Sequence, residues 1–420
     1  MEIRRSILSK LHAHLSEPEI TLLVGPRQAG KTTLLREMGQ SLQKAGKTCF
    51  FFNLDIDADA LFFTTQQRFV EHLEAVAGKK MAYVFIDEVQ RIENAGLFLK
   101  GIYDRRLPHK FIVTGSGSLE LKEKIAESLV GRKESFFLPT VSMLEWVQYA
   151  TEYRFEDRIA AVLHTDEILE ERLLSDYLTF GGYPRVLTSS TAPRKNRVLQ
   201  EIYQGYIERD IRQLLQVEKS NAFVVLLQLL ANRTGQLLNF NDLARITGLS
   251  VPTLKNYLWY SDKTFVTSSV TPFFRNKEKE IIKSPQYYFW DLGLRNYLRG
   301  IFDDLSDQGH RFQSLVFRLL KEYFSESVAS LHYWRTQNQA EVDFVVNLGH
   351  RILPVEVKAG KLQQPALSRS FRSFIEKYQP SEAWIINRKL RENFNLGNTA
   401  IRVLPWYDLL YSSETAVNTT

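Results

Sequence analysis

The stretch Glu19-Ile-Thr-Leu-Leu-Val-Gly-Pro-Arg-Gln-Ala-Gly-Lys-Thr32 decides how the chain is read. Glu19 to Val24 is an apolar run too short for a helix, and it reads as a buried strand. The turn Gly25 to Thr32 follows at once, and Thr33-Leu-Leu-Arg-Glu-Met38 continues with helical spacing. Strand, loop and helix in that order are the context a phosphate-binding loop requires. Gly25 and Gly30 let the backbone curl so that its N–H groups face phosphate, and the helix N-terminus adds its positive end. Lys31 is placed to reach the β- and γ-phosphates of ATP, and the Thr32 hydroxyl to ligate magnesium. Gly25, Pro26, Arg27, Gln28, Ala29, Gly30, Lys31, Thr32 and Thr33 are therefore the expected nucleotide contacts.

Met81-Ala-Tyr-Val-Phe-Ile-Asp-Glu88 is a second apolar strand, and it ends in two acids. Asp87 is placed to hold the magnesium ion through water, and Glu88 to orient and deprotonate the attacking water. A third strand, Lys110-Phe-Ile-Val-Thr-Gly-Ser116, ends in hydroxyls, and Thr114 or Ser116 is the candidate that senses the γ-phosphate. Leu129-Val-Gly-Arg-Lys133 then leads into the strand Ser135 to Pro139. Arg132 is a candidate arginine finger, acting in its own chain or on a neighbouring copy, or else a surface ion-pair partner.

A chain of 420 residues, 44% hydrophobic and 24% charged, is long enough for two or three globular domains. The net charge of +6 permits nucleic-acid binding without arguing for it. A single cysteine, Cys49, excludes intramolecular disulfides and thiolate zinc sites and fits a reducing cytoplasm. The charged start (Glu2, Arg4, Arg5, Lys10) does not read as a signal peptide. No run reaches the ~18 apolar residues of a membrane helix. Folding is expected throughout, except in the polar tail 412–420.

The middle of the chain carries the turn cluster Phe180-Gly-Gly-Tyr-Pro184 and a helical stretch from Arg197 to Leu215. Asn241 to Leu258 reads as helix, tight turn at Gly248, and helix, with Ser250 as N-cap and Pro252 in the first turn. Strand-like segments Thr264 to Val270 and Glu280 to Phe289 flank the charged tip Arg275 to Lys279. That is the plan of a winged helix. On a DNA partner, Thr253, Lys255 and Asn256 would face the groove while Arg275, Lys277 and Lys279 touch phosphates. A module that packs on protein has the same plan.

Further on, Glu341-Val-Asp-Phe-Val-Val346 and Ile352-Leu-Pro-Val-Glu-Val-Lys358 both alternate. In a strand alternate residues share a face, so Glu341 pairs off with Asp343, and Glu356 with Lys358. A hairpin with Gly349 and His350 at its tip sets Asp343 opposite Glu356 and Glu341 opposite Lys358. Facing carboxylates repel unless a cation lies between them. Magnesium held by Asp343 and Glu356, with Lys358 steadying a phosphate or a water, answers that. Acid, then acid-x-lysine, is the pattern of restriction-endonuclease-like nucleases, and the surrounding αβββαβ order fits that fold.

The set GPRQAGKT, YVFIDE, IVTGS and LVGRKESFFLP resembles the AAA-type ATPases with an added strand between the two Walker motifs. With LTFGGYP, YIERDI, KSPQYYFWDLGLRNYL, EVDFVV and PVEVKAG, it resembles a bacterial and archaeal branch of them. That branch carries a C-terminal domain of unknown function, often described as similar to restriction endonucleases. The resemblance spans nearly the whole chain, and it implies the fold and the ATPase site. It also implies a metal-completing glutamate on the helix before the hairpin, where this chain has Gln313, a weaker magnesium ligand.

The expected architecture is α/β and multidomain. An AAA-type P-loop NTPase domain occupies 1–165, a helical linker 166–220, a winged helix 221–300 and a restriction-endonuclease-like α/β domain 301–411. The expected function is magnesium-dependent ATP hydrolysis, coupled to DNA binding and metal-dependent DNA cleavage, in a cytoplasmic protein open to homo-oligomerisation. The alternative is a nucleotide-switched scaffold whose nuclease-like domain only binds.

Overall fold

The computed structural model describes residues 2–78, 80–116, 129–214, 220–274, 284–302 and 305–411. Two sheets organise it. The first has five strands: β1 Ile20–Gly25, β2 Thr48–Asn53, β3 Ala82–Asp87, β4 His109–Ser116 and β5 Lys133–Phe137, in the order β2-β3-β4-β1-β5. All its pairings are parallel. Every residue of β1 is buried, as befits a parallel strand covered on both faces. Ile20, Leu22 and Val24 point into one apolar layer with Phe69 and Leu99. Leu23 points into the other, with Leu34, Leu35 and Met38 of the helix Lys31–Lys44. β4 lies between β1 and β3, so the two strands that end in the expected phosphate and magnesium groups are separated by one strand. Their C-terminal ends share one edge of the sheet, where open α/β folds bind ligands.

The second sheet has eight strands: β6 Thr267–Pro272, β7 Gln286–Phe289, β8 Ser330–Arg335, β9 Glu341–Asn347, β10 Ile352–Val357, β11 Glu382–Asn387, β12 Glu392–Leu396 and β13 Thr399–Pro405. The order is β12-β13-β11-β10-β9-β8-β6-β7. β8, β9 and β10 form an antiparallel meander, and β11 joins β10 in parallel after the helix Arg369–Tyr378. Ser368 caps that helix by accepting from Phe371 N–H.

The helices Phe240–Thr247 and Val251–Lys263 flank a left-handed Gly248, and Ser250 caps the second by accepting from Thr253 N–H. β6 and β7 pair antiparallel behind them. The hairpin does not stand apart, however. Thr271 and Pro272 pair in parallel with His332 and Tyr333 of β8, so the hairpin extends the second sheet. Arg275, Lys277 and Lys279 lie outside the described residues, as does the tail 412–420. The stretch read as one helix from Arg197 divides into an α-helix, Ala192–Gly205, and wider π turns over Tyr206–Leu214.

Leu173, Leu174 and Tyr177, from the stretch read as a linker, pack in one apolar core with Val141, Leu315, Phe344 and Trp406. A buried polar joint runs through that core. Arg318 lies on the helix Gln308–Tyr323 and donates to Thr140 Oγ1 (2.7 Å), Val141 O (3.0 Å) and Glu322 Oε1 (2.8 Å). Asp291 accepts from Gly182 N–H at 2.8 Å. Gly182 admits no side chain, since a Cβ there would sit 2.3 Å from Val141 O. The connection leaving the first sheet is thus clamped to the helix that carries Gln313. Among the described residues no helix is long and apolar enough to cross a membrane.

Candidate nucleotide site and carboxylate hairpin

The loop after β1 is wound as the glycines require. Gly30 has φ +101°, a left-handed conformation that a side chain resists. Gly25 is needed for a different reason: a Cβ there would lie 2.1 Å from the Leu138 carbonyl oxygen. The Lys31 ammonium is buried and donates to Gly25 O (3.0 Å) and Pro26 O (2.9 Å), inside the loop it belongs to.

The Thr32 hydroxyl donates to Asp87 Oδ2 at 2.7 Å. Thr114, buried on the intervening β4, donates to the other carboxylate oxygen of Asp87. The hydroxyl proposed as a γ-phosphate sensor therefore anchors Asp87, and the Glu88 amide donates back to it at 3.3 Å. Ser116 sits opposite Gly25 in the ladder, but its side chain lies outside what the structure describes. Glu88 has left-handed backbone angles (φ 59°, ψ 43°), uncommon for a residue with a side chain. Gln90 donates to its carboxylate. Burial pushes the Glu88 carboxyl above the usual carboxylate range; Lys31 and Arg27 pull it down and Asp87 pushes it up.

Arg132 does not join this cluster within the chain. Its carbonyl accepts from Ile20 N–H at the start of β1, whereas the phosphate loop begins at the far end of that strand. Five residues of strand separate them by about 16 Å. Its guanidinium instead pairs with Asp104 at 2.7 Å. The physical reason is that β5 is parallel to β1, so a residue entering β5 lies at the edge opposite the loop.

Three arginine and acid positions outside the motifs read above gather around the loop: Arg5, Glu145 and Arg185. Arg5 donates to Ala29 O at 2.7 Å and to Glu145 at 3.1 Å. Arg185, just after the Gly-Gly-Tyr-Pro turn, donates to Gln28 Oε1 at 3.3 Å, and Pro184 comes within 3.9 Å of a Cβ built on Gly30. These partners are more than twenty residues apart in sequence, and only Glu145 carries a local mark, as the acid of the capping box opened by Ser142.

In the second sheet the hairpin register is the expected one. Val355 pairs with Phe344 and Ile352 with Asn347, so the next step brings Glu356 beside Asp343. Gly349 is left-handed at the tip. Asp343 accepts from Val357 N–H and from Gln313 Nε2, both at 2.8 Å. Glu356 is buried, pairs with Lys358 Nζ at 2.8 Å and accepts from Ser368 N–H at 3.3 Å. Glu341, on the same face as Asp343, accepts from Gln286 at 3.2 Å and pairs with Arg335. Gln313 thus occupies the cluster as an amide donor. Among the described residues no group of three or more His, Cys, Asp or Glu side chains converges to hold a metal.

Burial pushes the Asp343 carboxyl up to about 7, with Glu356 and Glu341 adding to it and the Val357 amide and Lys358 opposing. Between about pH 4 and 7 the folded chain therefore holds a proton that the unfolded chain has already given up. The stability that Asp343 contributes falls as pH rises through that window, by about 1.4 kcal/mol per pH unit at the steepest point. Asp343→Asn is expected to flatten this slope in urea unfolding at pH 5, 6 and 7. An unchanged slope would place the titration elsewhere.

Comparison with known proteins accords with this geometry. Residues 17–147 match the family model of an AAA domain, 171–305 that of a domain of unknown function (DUF8612), and 308–409 that of a domain of unknown function (DUF4143). With the parallel sheet and its loop, the first match defines a P-loop nucleotide-binding domain of the AAA ATPase class. The uncharacterized protein Rv2008c of Mycobacterium tuberculosis is 30% identical over 410 residues, 95% of this chain and 83% of that protein, and Mb2031c of Mycobacterium bovis matches equally. This chain belongs to their family. The uncharacterized protein MJ1544 of Methanocaldococcus jannaschii is 23% identical over 334 residues, 78% of this chain and 72% of that protein. Among solved structures, the Aeropyrum pernix ORC2 protein in its ADP form aligns with a TM-score of 0.36 and 13% identity, over 72% of this chain and 96% of that one. The replication initiator DnaA bound to AMPPCP and single-stranded DNA aligns with a TM-score of 0.29 and 14% identity, over 61% of this chain and 86% of that one.

Proposed function

We propose that this chain is a magnesium-dependent ATPase whose nucleotide state controls DNA binding by its C-terminal half. The observation that carries the reading is the Thr32 hydroxyl bonded to Asp87 at 2.7 Å, beside the Lys31 ammonium and one residue before Glu88. Thr32 and Asp87 fit magnesium, which takes one or two protein oxygens and completes its shell with phosphate and water. Bound there, it neutralises charge on the phosphates. Lys31 turns from its own loop carbonyls to the β- and γ-phosphates. Glu88, its carboxyl raised by burial, accepts the proton of the attacking water. Thr114 keeps Asp87 in place. Arg185 supplies a cation from the following domain. Arg132, remote from its own site, serves the site of a second copy, so the reading includes a homo-oligomer.

For DNA, Lys255 and Asn256 are exposed on the helix Val251–Lys263, which we read as the recognition helix of a winged-helix domain over 221–300. The helix, antiparallel meander, helix and parallel strand that follow support a restriction-endonuclease-like domain over 301–411. Gln313 bonded to Asp343 favours a domain that holds DNA without cutting it.

Affinity for a short DNA duplex is expected to differ about fivefold or more between ADP and a non-hydrolysed ATP analogue. Equal affinities, or none in either state, would sink the coupling. The register of Asp343, Glu356 and Lys358 supports a second reading, magnesium-dependent cleavage. Plasmid nicking that is lost in Asp343→Ala would establish it in place of binding alone.

A further inference from the structure

Arg5 lies outside every motif, yet its guanidinium is buried against the phosphate loop. Nη1 donates to Ala29 O (2.7 Å), Nη2 to Pro139 O (2.7 Å) and Nε to Glu145 Oε2 (3.1 Å). Glu145 is itself buried and fully engaged. Its carboxylate accepts from Ser6 N–H (2.7 Å), Ser6 Oγ (2.9 Å) and Ser142 N–H (2.9 Å). Burial works against the charge of Glu145, but Arg5 and these amide donors outweigh it and hold the carboxyl below its usual range.

The bond to Ala29 has a consequence for the peptide that follows. In a planar trans peptide the carbonyl and the next N–H point in opposite directions. Fixing the Ala29 carbonyl outward on Arg5 therefore aims the Gly30 N–H into the concave side of the loop, where phosphate oxygens would sit. Gly30 is left-handed and has no Cβ, so this peptide turns over more easily than its neighbours unless something holds it. The remaining Arg5 contacts tie the same point to Pro139, where the chain leaves the first sheet, and to the helix Met143–Ala150.

We propose that Arg5 is a positioning residue for phosphate binding: paired with Glu145, it locks the Ala29–Gly30 peptide so that the Gly30 amide is presented to the nucleotide. This rests on the nucleotide reading of the loop. Arg5 does not touch substrate; it acts through the Ala29 carbonyl. Arg5→Ala frees the peptide and removes one charge-facing amide from the phosphates. Arg5→Lys keeps the charge opposite Glu145 but lacks the planar fork that spans both carbonyls.

The test is calorimetric titration of ADP and of a non-hydrolysed ATP analogue into wild type, Arg5→Lys and Arg5→Ala, with unfolding temperatures and steady-state kinetics alongside. Both variants are expected to lose affinity for the two nucleotides in the same proportion, about tenfold or more. KM should rise far more than kcat falls, and Arg5→Lys should unfold close to wild type. Should Arg5→Ala fail to fold, Arg5→Lys decides alone. Folded variants that bind ADP within twofold of wild type would overturn the proposal, as would a loss of kcat at unchanged KM. Wild type that binds no nucleotide would instead remove the reading on which the proposal stands.

Discussion

Glu88→Gln is expected to bind ATP as tightly as the parent and to hydrolyse it about a hundredfold more slowly or worse, the ordinary cost of losing a positioned general base. The two carboxylates at the end of β3 differ in their surroundings, and the difference supports the roles proposed for them. Asp87 is held by two hydroxyls, Thr32 and Thr114, which fits the metal-holding role proposed for it. Glu88 is set off by a left-handed backbone step and oriented by Gln90. Burial raises its proton affinity, which suits a base. Glutamine keeps the shape and removes a partly desolvated charge, so folding should not suffer. Single-turnover hydrolysis beside equilibrium binding separates the two effects. A Glu88→Gln variant that hydrolyses at the parental rate would take the base role away from this residue.

Arg318→Met is expected to destabilise the chain by about 3–5 kcal/mol, because it leaves several buried carbonyls and the half-buried Glu322 without their partner. Arg318 is almost fully buried and is bonded to Thr140, Val141, Trp290 and Glu322. Methionine fills a similar volume without answering any of those acceptors. Replacing Glu322 with leucine in the same background should recover part of the loss, since a buried pair removed together costs less than one broken. Denaturant unfolding of the single and double variants measures both numbers. Because the same joint links the exit from the first sheet to the helix bearing Gln313, Arg318→Met should also blunt any effect of nucleotide on the second sheet. A loss below 1 kcal/mol would show that the joint is not a structural hub.

Local chemistry was readable in the sequence wherever neighbours in space are neighbours in the chain. The phosphate loop and the Asp87–Glu88 strand end are of this kind. So is the hairpin register, which follows from parity and a two-residue tip. Contacts between distant segments were not readable. Arg5 with Glu145, Arg185 with Gln28, and Arg318 with Thr140 each join residues more than a hundred positions apart. Nothing in the composition around Arg5 distinguishes it from a solvated arginine near a chain start. Thr114 was legible as a hydroxyl near the phosphates, but its partner depended on β4 lying between β1 and β3. The merging of the β6–β7 hairpin into the second sheet rests on two residue pairs, Thr271 with His332 and Pro272 with Tyr333, and no periodicity signals an edge that a later strand will adopt.

In the proposed function every step begins with a nucleotide seated between the end of β1 and the helix that opens at Lys31. Phosphate release from ATP by the purified chain, with and without magnesium and beside Lys31→Ala, measures this directly. Turnover that requires magnesium and falls about a hundredfold or more in Lys31→Ala is the expected result. Turnover that persists without the metal, or a Lys31→Ala variant as fast as its parent, would contradict it.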